Sequence, residues 1–192
     1  MKKSILLNAA LMLAVALTCA AAADYFYVFA PKGSTNVGHY SPSGWMGDTG
    51  DLRYEEVADS AKAGPAVIKI SYSAKQSKGA GWAGIYWQHP TNNWGSKPGG
   101  YDLSKYHKLT FKARGAKGGE IATFKMGGIQ GEHGDSDNGE VGPVTLTPQW
   151  QTYTIDLAGK NLKQIVGGFC VVFAASDDPT GLQIFLNDIR YE

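Results

Sequence analysis

The residues best suited to chemistry lie in Gly81–Gly100, GWAGIYWQHPTNNWGSKPGG. This stretch holds three of the chain's five tryptophans, Trp82, Trp87 and Trp94, together with Tyr86, Gln88, His89, Asn92 and Asn93. Its first half alternates as a strand does, with Trp82, Gly84, Tyr86 and Gln88 on one side and Ala83, Ile85 and Trp87 on the other. Its second half, with Pro90, Gly95, Pro98, Gly99 and Gly100, reads as loop. Flat apolar rings beside amide donors and acceptors match the C–H faces and hydroxyls of a sugar. The competing reading is that the rings are core, because large aromatics are well buried in most folds. Trp94, on the loop, fits that second reading least.

Three other clusters invite the same question. Ser43–Asp48, SGWMGD, sets Trp45 between glycines, where it reads either as a ligand platform or as a plug over one end of the fold. Gly134–Glu140, GDSDNGE, brings Asp135, Asp137 and Glu140 together below Glu132 and His133. Alternating carboxylates suit a hard cation such as Ca²⁺, but the glycine and distal glutamate of a calcium loop are out of place, so a solvated turn is the other reading. Asp188, in the apolar stretch Leu186–Arg190, needs a partner: an arginine, Arg53 or Arg190, or a structural cation.

Motifs for catalysis are missing. No HExxH, HxH or CxxC spacing supports zinc, and no GxSxG supports an esterase elbow. A glycosidase requires two facing carboxylates. Glu55, Glu56, Glu120, Asp135 and Asp137 are available, yet each sits beside a turn or in a glycine-rich loop. Gln88 and His89 are adjacent, so a strand would point them to opposite sides.

The elements that must position these residues are strands. Glycine-punctuated runs of β-branched and aromatic residues predict strands at 25–29, 52–57, 66–72, 82–88, 108–113, 120–127, 142–146, 151–157, 168–174 and 182–191. In 108–114, Leu109, Phe111 and Ala113 oppose Thr110, Lys112 and Arg114. In 151–157, Tyr153, Ile155 and Leu157 oppose Thr152, Thr154 and Asp156. One wet and one dry face per strand is what two packed antiparallel sheets require, so the expected fold is an all-β antiparallel sandwich of jelly-roll type. Residues 156–165 could anchor one short helical turn through Leu157, Leu162 and Ile165. Long loops are expected at 36–50, 89–101 and 128–142, where length points to function.

Residues 1–23 read as a secretory signal peptide: Lys2 and Lys3, an apolar run from Ile5 to Leu17, and small residues at Ala20–Ala23. Residues 24–192 then form a single exported domain, secreted or periplasmic. Cys19 raises lipoprotein anchoring, which its preceding Ala16-Leu17-Thr18 fits poorly. Cys170, in GGFCVVFAA, reads as a small buried hydrophobe. The formal charge of +1, with no basic cluster, lacks the mark of a nucleic-acid binder and points to an uncharged or weakly charged ligand.

A set of motifs recurs in order: SGWMGD, GWAGIYWQ, NNWG (Asn92–Gly95), GGYDLS (Gly99–Ser104), LTFKARG (Leu109–Gly115), GGE (Gly118–Glu120), WQTYTIDL (Trp150–Leu157), VGGF (Val166–Phe169) and FLNDIRYE (Phe185–Glu192). With them the chain resembles exported bacterial domains of the galactose-binding-like jelly-roll superfamily, similar in style to non-catalytic carbohydrate-binding modules. That resemblance implies a ligand site on the concave sheet or in loops at one edge. It also implies a structural Ca²⁺ near Asn187 and Asp188, where one of the usual paired acids is replaced by Asn187. Arg114 and Glu120 look more like a structural ion pair than ligand contacts.

The leading expectation is therefore an exported polysaccharide- or oligosaccharide-binding domain without catalysis; whether it works beside a glycan-degrading enzyme in trans is left open by the sequence. Trp94 and Trp45 would stack on sugar rings, with Trp82, Tyr86 and Trp87 adding their exposed faces and Gln88, Asn92 and Asn93 bonding hydroxyls. Two or three such platforms imply affinities of about micromolar to millimolar. The alternatives are a structural or protein-interaction sandwich of the cell envelope, and a small glycoside hydrolase or polysaccharide lyase.

Overall fold

The computed structural model describes residues 24–30, 35–58 and 66–192. The expected signal peptide at 1–23, with Cys19, lies outside the described residues. The described chain forms strands β1 (Phe26–Tyr27), β2 (Ser41–Gly47), β3 (Leu52–Val57), β4 (Val67–Tyr72), β5 (Trp82–Gln88), β6 (Lys108–Gly115), β7 (Ile121–Gly127), β8 (Asn138–Thr145), β9 (Gln151–Asp156), β10 (Gly167–Ala174) and β11 (Leu182–Tyr191). One short 3₁₀ turn, Thr49–Asp51, joins β2 to β3.

These strands make two antiparallel sheets packed as a jelly-roll sandwich. One runs β3-β4-β11-β6-β9, with β1 also on β11; the other runs β2-β5-β10-β7-β8. Strand β11 is central to the first sheet. Its first half pairs with β4, its end with β1, and β6 follows it on the other side past a bulge between Asn187 and Arg190.

Alternation decides what is buried. Paired residues on neighbouring strands share a face, so the register Phe169–Trp87, Val171–Ile85 and Val171–Phe124 directs one apolar row inward. Trp87, Phe111, Phe124 and Phe169 meet there with ring centroids 4.6 Å (Phe111–Phe124), 5.1 Å (Phe111–Phe169) and 5.3 Å (Trp87–Phe169) apart. Each such ring, fully buried, contributes about 1.5–3 kcal/mol. Two buried tyrosine hydroxyls find carbonyls across the sandwich: Tyr40 Oη donates to Ile165 O at 2.8 Å and Tyr191 Oη to Gly168 O at 2.7 Å. Gly168 is obligatory at that crossing, because a Cβ there would lie 2.5 Å from the Tyr40 ring.

The predicted strands are all present, and two segments read as loop are strands. β2 lies inside the expected loop 36–50, and β8 begins at Asn138 rather than at 142. Both are edge strands and both carry a proline, Pro42 and Pro143, which the ladder tolerates only at an edge or bulge. The expected helical turn within 156–165 is a plain turn at Ala158–Gly159, and Leu157, Leu162 and Ile165 plug the core without a helix.

Candidate functional site

On β5 the alternation divides the aromatic stretch in two. Ala83, Ile85 and Trp87 point inward and are fully buried, while Trp82, Gly84, Tyr86 and Gln88 point to the outer face of the five-stranded sheet. Trp87 is thus a core residue, at 0% exposure. It leaves the set of expected sugar contacts.

Tyr86 lies flat on that outer face. Its ring carbons Cδ1 and Cε1 sit 3.0 Å from where a Cβ on Gly167 would be, and its hydroxyl donates to Gly127 O, two strands away, at 2.8 Å. The bare Gly167 is what lets the ring lie down. Burial, helped by nearby Cys170 and Asp135, pushes the Tyr86 phenol well above its ordinary pKa, so it stays a neutral donor. Cys170, paired with Tyr86 in register, is fully buried with its thiol pKa also raised by burial. It is the small buried group expected.

Trp94 stands as a wall against this floor. Its ring is 6.1 Å from Tyr86 at an interplanar angle of 85°, and it is 43% exposed. The loop that carries it is pinned by side chains expected to face ligand. Asn93 Oδ1 accepts the N–H groups of Gly95 and Lys97 at 3.1 and 3.2 Å, and its Nδ2 donates to Lys97 O at 2.8 Å. Gln88 Nε2 donates to Asn93 O at 2.9 Å while its Oε1 accepts from Ser43 Oγ at 2.9 Å. Ser43 Oγ in turn accepts the Asn92 N–H at 2.9 Å. Gln88 and Asn93 are both 0% exposed, so the structure makes them positioning residues for Trp94 rather than ligand contacts. Asn92 remains exposed at the rim. At Gly95 a Cβ would lie 2.0 Å from Gln130 O, and the backbone there has φ +83°, so only glycine lets the loop dock on residues 130–133.

At the other end of the strand, Trp82 is 37% exposed. The loop entering it is held by Asp48, whose carboxylate accepts N–H groups of Lys78, Ala80 and Gly81 at 2.7, 3.1 and 2.8 Å. Burial pushes the Asp48 carboxyl upward, but the N–H groups of Ala80, Lys78 and Gly81 outweigh it and hold its pKa below the ordinary value. Between Trp82 and Tyr86 the sheet is lined by Met46, whose Cε lies 3.0 Å from the Cβ position of Gly84, and by Val172 at 3.2 Å. Four residues of strand span about 13 Å. The result is an apolar strip from Trp82 across Met46 and Val172 to the Tyr86–Trp94 corner.

Trp45 is not on this strip. It pairs with the inward-facing Ile85, whereas Met46 pairs with Gly84, so β2 shows Met46 to the strip and turns Trp45, 36% exposed, to the opposite side of its edge. The alternation of β2 relative to β5 carries this distinction, and reading 36–50 as loop hid it. Ser43, Met46 and Val172 are the residues that sequence reasoning passed over.

The remaining clusters are structural. Asp135 accepts the N–H of Ile129 at 2.7 Å, of Gly167 at 3.0 Å and of Val166, and Asp137 accepts those of Asn138 and Asn161, both at 2.8 Å. Those carboxylates brace the loop. Glu120 accepts the N–H groups of Lys117 and Gly118, both at 2.8 Å, and the Arg114 guanidinium lies over the Phe185 and Trp150 rings on the other sheet.

Asp188 sits between two cations, Lys112 Nζ at 3.2 Å and the Arg190 guanidinium. Asn187 Oδ1 accepts the Asp188 N–H at 2.8 Å. Among the described residues no three His, Cys, Asp or Glu side chains gather as a metal site. These residues, as placed, do not fit a calcium ion, which would have to displace both cations; chelator is expected to leave the thermal midpoint unchanged.

Burial raises the Asp188 pKa, but hydrogen bonds from Arg190 and Lys112 outweigh it and leave the pKa below 3.8. A depressed folded pKa contributes stability that is present above the unfolded value and lost as pH falls through the folded one. Asp188→Asn is therefore expected to destabilise the fold at neutral pH and to have progressively less effect below pH 3.8, checked by thermal melts across the acid range.

Comparison with known proteins bears on this geometry. The family described as Carbohydrate binding domain 30 matches residues 34–192. A crystal structure of a family 30 carbohydrate-binding module superposes with a TM-score of 0.57 at 15% identity, covering 88% of this chain and 99% of that one. The family 30 module of a cellulosomal cellulase of Clostridium thermocellum gives 0.59 at 14% identity, over 88% and 98%. The family 11 module from Clostridium thermocellum, in complex with a β-1,3-1,4-mixed-linked tetrasaccharide, gives 0.55 at 16% identity, over 89% and 96%. A comparison with curated protein sequences gave no match.

Proposed function

We infer the mode of action from a firm premise: the chain belongs to the Carbohydrate binding domain 30 family, and so is a carbohydrate-binding module. Its ligand is a neutral β-linked glucan, held as an extended chain along the outer face of the five-stranded sheet. The observation that carries this is the strip itself, with an exposed ring at each end, a flat tyrosine beside one of them and apolar side chains between. A solved neighbour in complex with a β-1,3-1,4-mixed-linked tetrasaccharide supports the choice of a β-linked ligand.

The protein acts by holding, not by cleaving. Of the carboxylates nearest the strip, Asp135 and Asp137 are bonded to backbone N–H groups and Glu140 pairs with Lys125 at 2.8 Å. None is a free acid facing another across a bound chain, as glycoside hydrolysis needs. Export through the 1–23 segment would bring the module to its polymer, beside a glycan-degrading enzyme in trans.

Native affinity gels containing mixed-linked β-glucan, a soluble cellulose derivative, or an unrelated α-glucan test the assignment. Retardation in the β-glucan gels alone is expected. Equal mobility in all three would sink it and favour a protein-interaction role.

A further inference from the structure

The loop that carries Trp94 is closed at its base by a cluster of rings. Its two ends meet where the Gly100 N–H donates to His89 O at 2.9 Å. They are so close that a Cβ on Gly99 would lie 2.2 Å from Pro90 Cδ and 3.1 Å from Asn93 Nδ2. Over this junction the His89 imidazole lies on the Tyr101 ring, with centroids 4.4 Å apart and Nδ1 3.2 Å from Tyr101 Oη. Tyr101 Oη donates to His39 O at 3.3 Å, so His89 Nδ1 is the donor to Oη. His39 stands edge-on to Tyr101 at 5.7 Å and stacks on Phe26 at 4.0 Å, and its Nδ1 donates to Tyr27 O at 2.9 Å. Both neutral imidazoles therefore carry their hydrogen on Nδ1, and acid adds the second proton at Nε2.

That second proton meets an unfavourable setting. The titratable groups facing His89 are Tyr101 from its own loop and His39 and Tyr40 from the segment before β2. Behind Val166, whose carbonyl accepts the His89 N–H at 3.0 Å, lies Asp135, bonded to the N–H groups of Val166 and Gly167. Among the described residues no carboxylate pairs with either imidazole. Burial and then the neighbouring His39 hold the His89 pKa below its ordinary 6.5, so these penalties outweigh the attraction of a ring face for a cation. The closed junction is thus fully stable above pH 6.5 and loses ground to an opened one as pH falls below it.

From this cluster we propose that His89 is a positioning residue for Trp94, holding the loop closed on Tyr101 only while neutral, so that the module weakens its grip on glucan in acid. The path to the indole is short. Asn93 touches the closed junction and accepts the N–H groups of Gly95 and Lys97 on the far side of Trp94. Opening the base of the loop therefore shifts the wall of the Tyr86 corner without disturbing the core. The proposal rests on the strip being the glucan site and adds how that site is regulated.

Calorimetric titration of the full chain with a cello-oligosaccharide, at about pH 7.5 and about pH 5, tests it. The wild-type affinity should fall by about three- to tenfold at the lower pH. His89→Gln, which keeps a donor but takes no proton, should hold the ratio of the two affinities within about twofold, whatever its affinity at neutral pH. His107→Gln, an exposed histidine before β6, should keep the wild-type ratio. A second readout uses the wild type alone: because linkage is reciprocal, saturating oligosaccharide should move the NMR titration of the His89 ring to lower pH. Equal wild-type affinity at both pH values overturns the proposal and leaves the strip standing. So does a His89→Gln variant with the full drop, or a His89 titration that ligand does not move. A wild type that binds at neither pH overturns the strip reading itself, and the two failures are told apart.

Discussion

Replacing Trp94 with alanine is expected to lower the affinity for a linear β-glucan by roughly 30-fold and to leave the thermal midpoint almost unchanged. A sugar face against an exposed indole removes on the order of 80 Å² of apolar surface from water, worth about 2 kcal/mol, and about 1.4 kcal/mol is tenfold in binding. Trp94 also supplies the wall of the Tyr86 corner, standing 85° to that ring, so its loss opens the corner as well as removing a face. The fold has little reason to respond. The loop is held by Asn93, Gln88 and the Gly95 contact with Gln130, none of which uses the indole. Calorimetric titration with a cello-oligosaccharide, paired with a thermal melt, checks both halves. Unchanged affinity in a folded Trp94→Ala variant would remove that end of the strip from the account.

Trp87→Ala should behave in the opposite way. Trp87 is completely buried, edge-on to Phe169 at 5.3 Å and to Tyr54 at 6.1 Å. Deleting a buried tryptophan costs about 3–5 kcal/mol, a large part of the roughly 5–15 kcal/mol that holds a domain together. The thermal midpoint is expected to fall steeply, with binding lost only as the fold is lost. Trp87→Phe should be milder, because it keeps an aromatic ring and removes an indole N–H that has no hydrogen-bond partner among the described residues. A Trp87→Ala variant that melts like the wild type but fails to bind would contradict this division of the strand. Urea titration gives the stability difference directly.

That division was half legible in the sequence. Strict alternation in 82–88 separates Trp82 and Tyr86 from Trp87 but does not say which side is core. The answer comes from β10, where Phe169 and Val171 face Trp87 and Ile85, a pairing across some eighty residues that local pattern cannot show. The same limit explains Trp45. Its glycine- and proline-rich surroundings read as loop, and they become a strand only because β5 offers an edge, in a register that passes a bulge between Pro42 and Gly44. That register hands the strip to Met46.

Polar residues were harder to place than apolar ones. Gln88, Asn92 and Asn93 have the groups a sugar needs, and a loop needs the same groups to satisfy its own backbone. The structure assigns Gln88 and Asn93 to the loop. Asp188 was legible as a buried carboxylate in need of a partner, with Arg190 among the choices. Lys112 was not, because it stands on a strand more than seventy residues away. The Lys125–Glu140 pair is another cross-strand neighbour that appears only once β7 and β8 are in register.

The most direct test of the strip is a ¹H–¹⁵N spectrum of the five tryptophan indole groups, each assigned by single substitution and titrated with a cello-oligosaccharide. The account predicts that the Trp82 and Trp94 signals shift progressively to saturation while those of Trp87 and Trp150 stay in place. Trp87 lies in the core, and Trp150 packs near Arg114 on the other sheet. Shifts confined to Trp45 or Trp150, with Trp82 and Trp94 unmoved at saturation, would place the glycan elsewhere and contradict it.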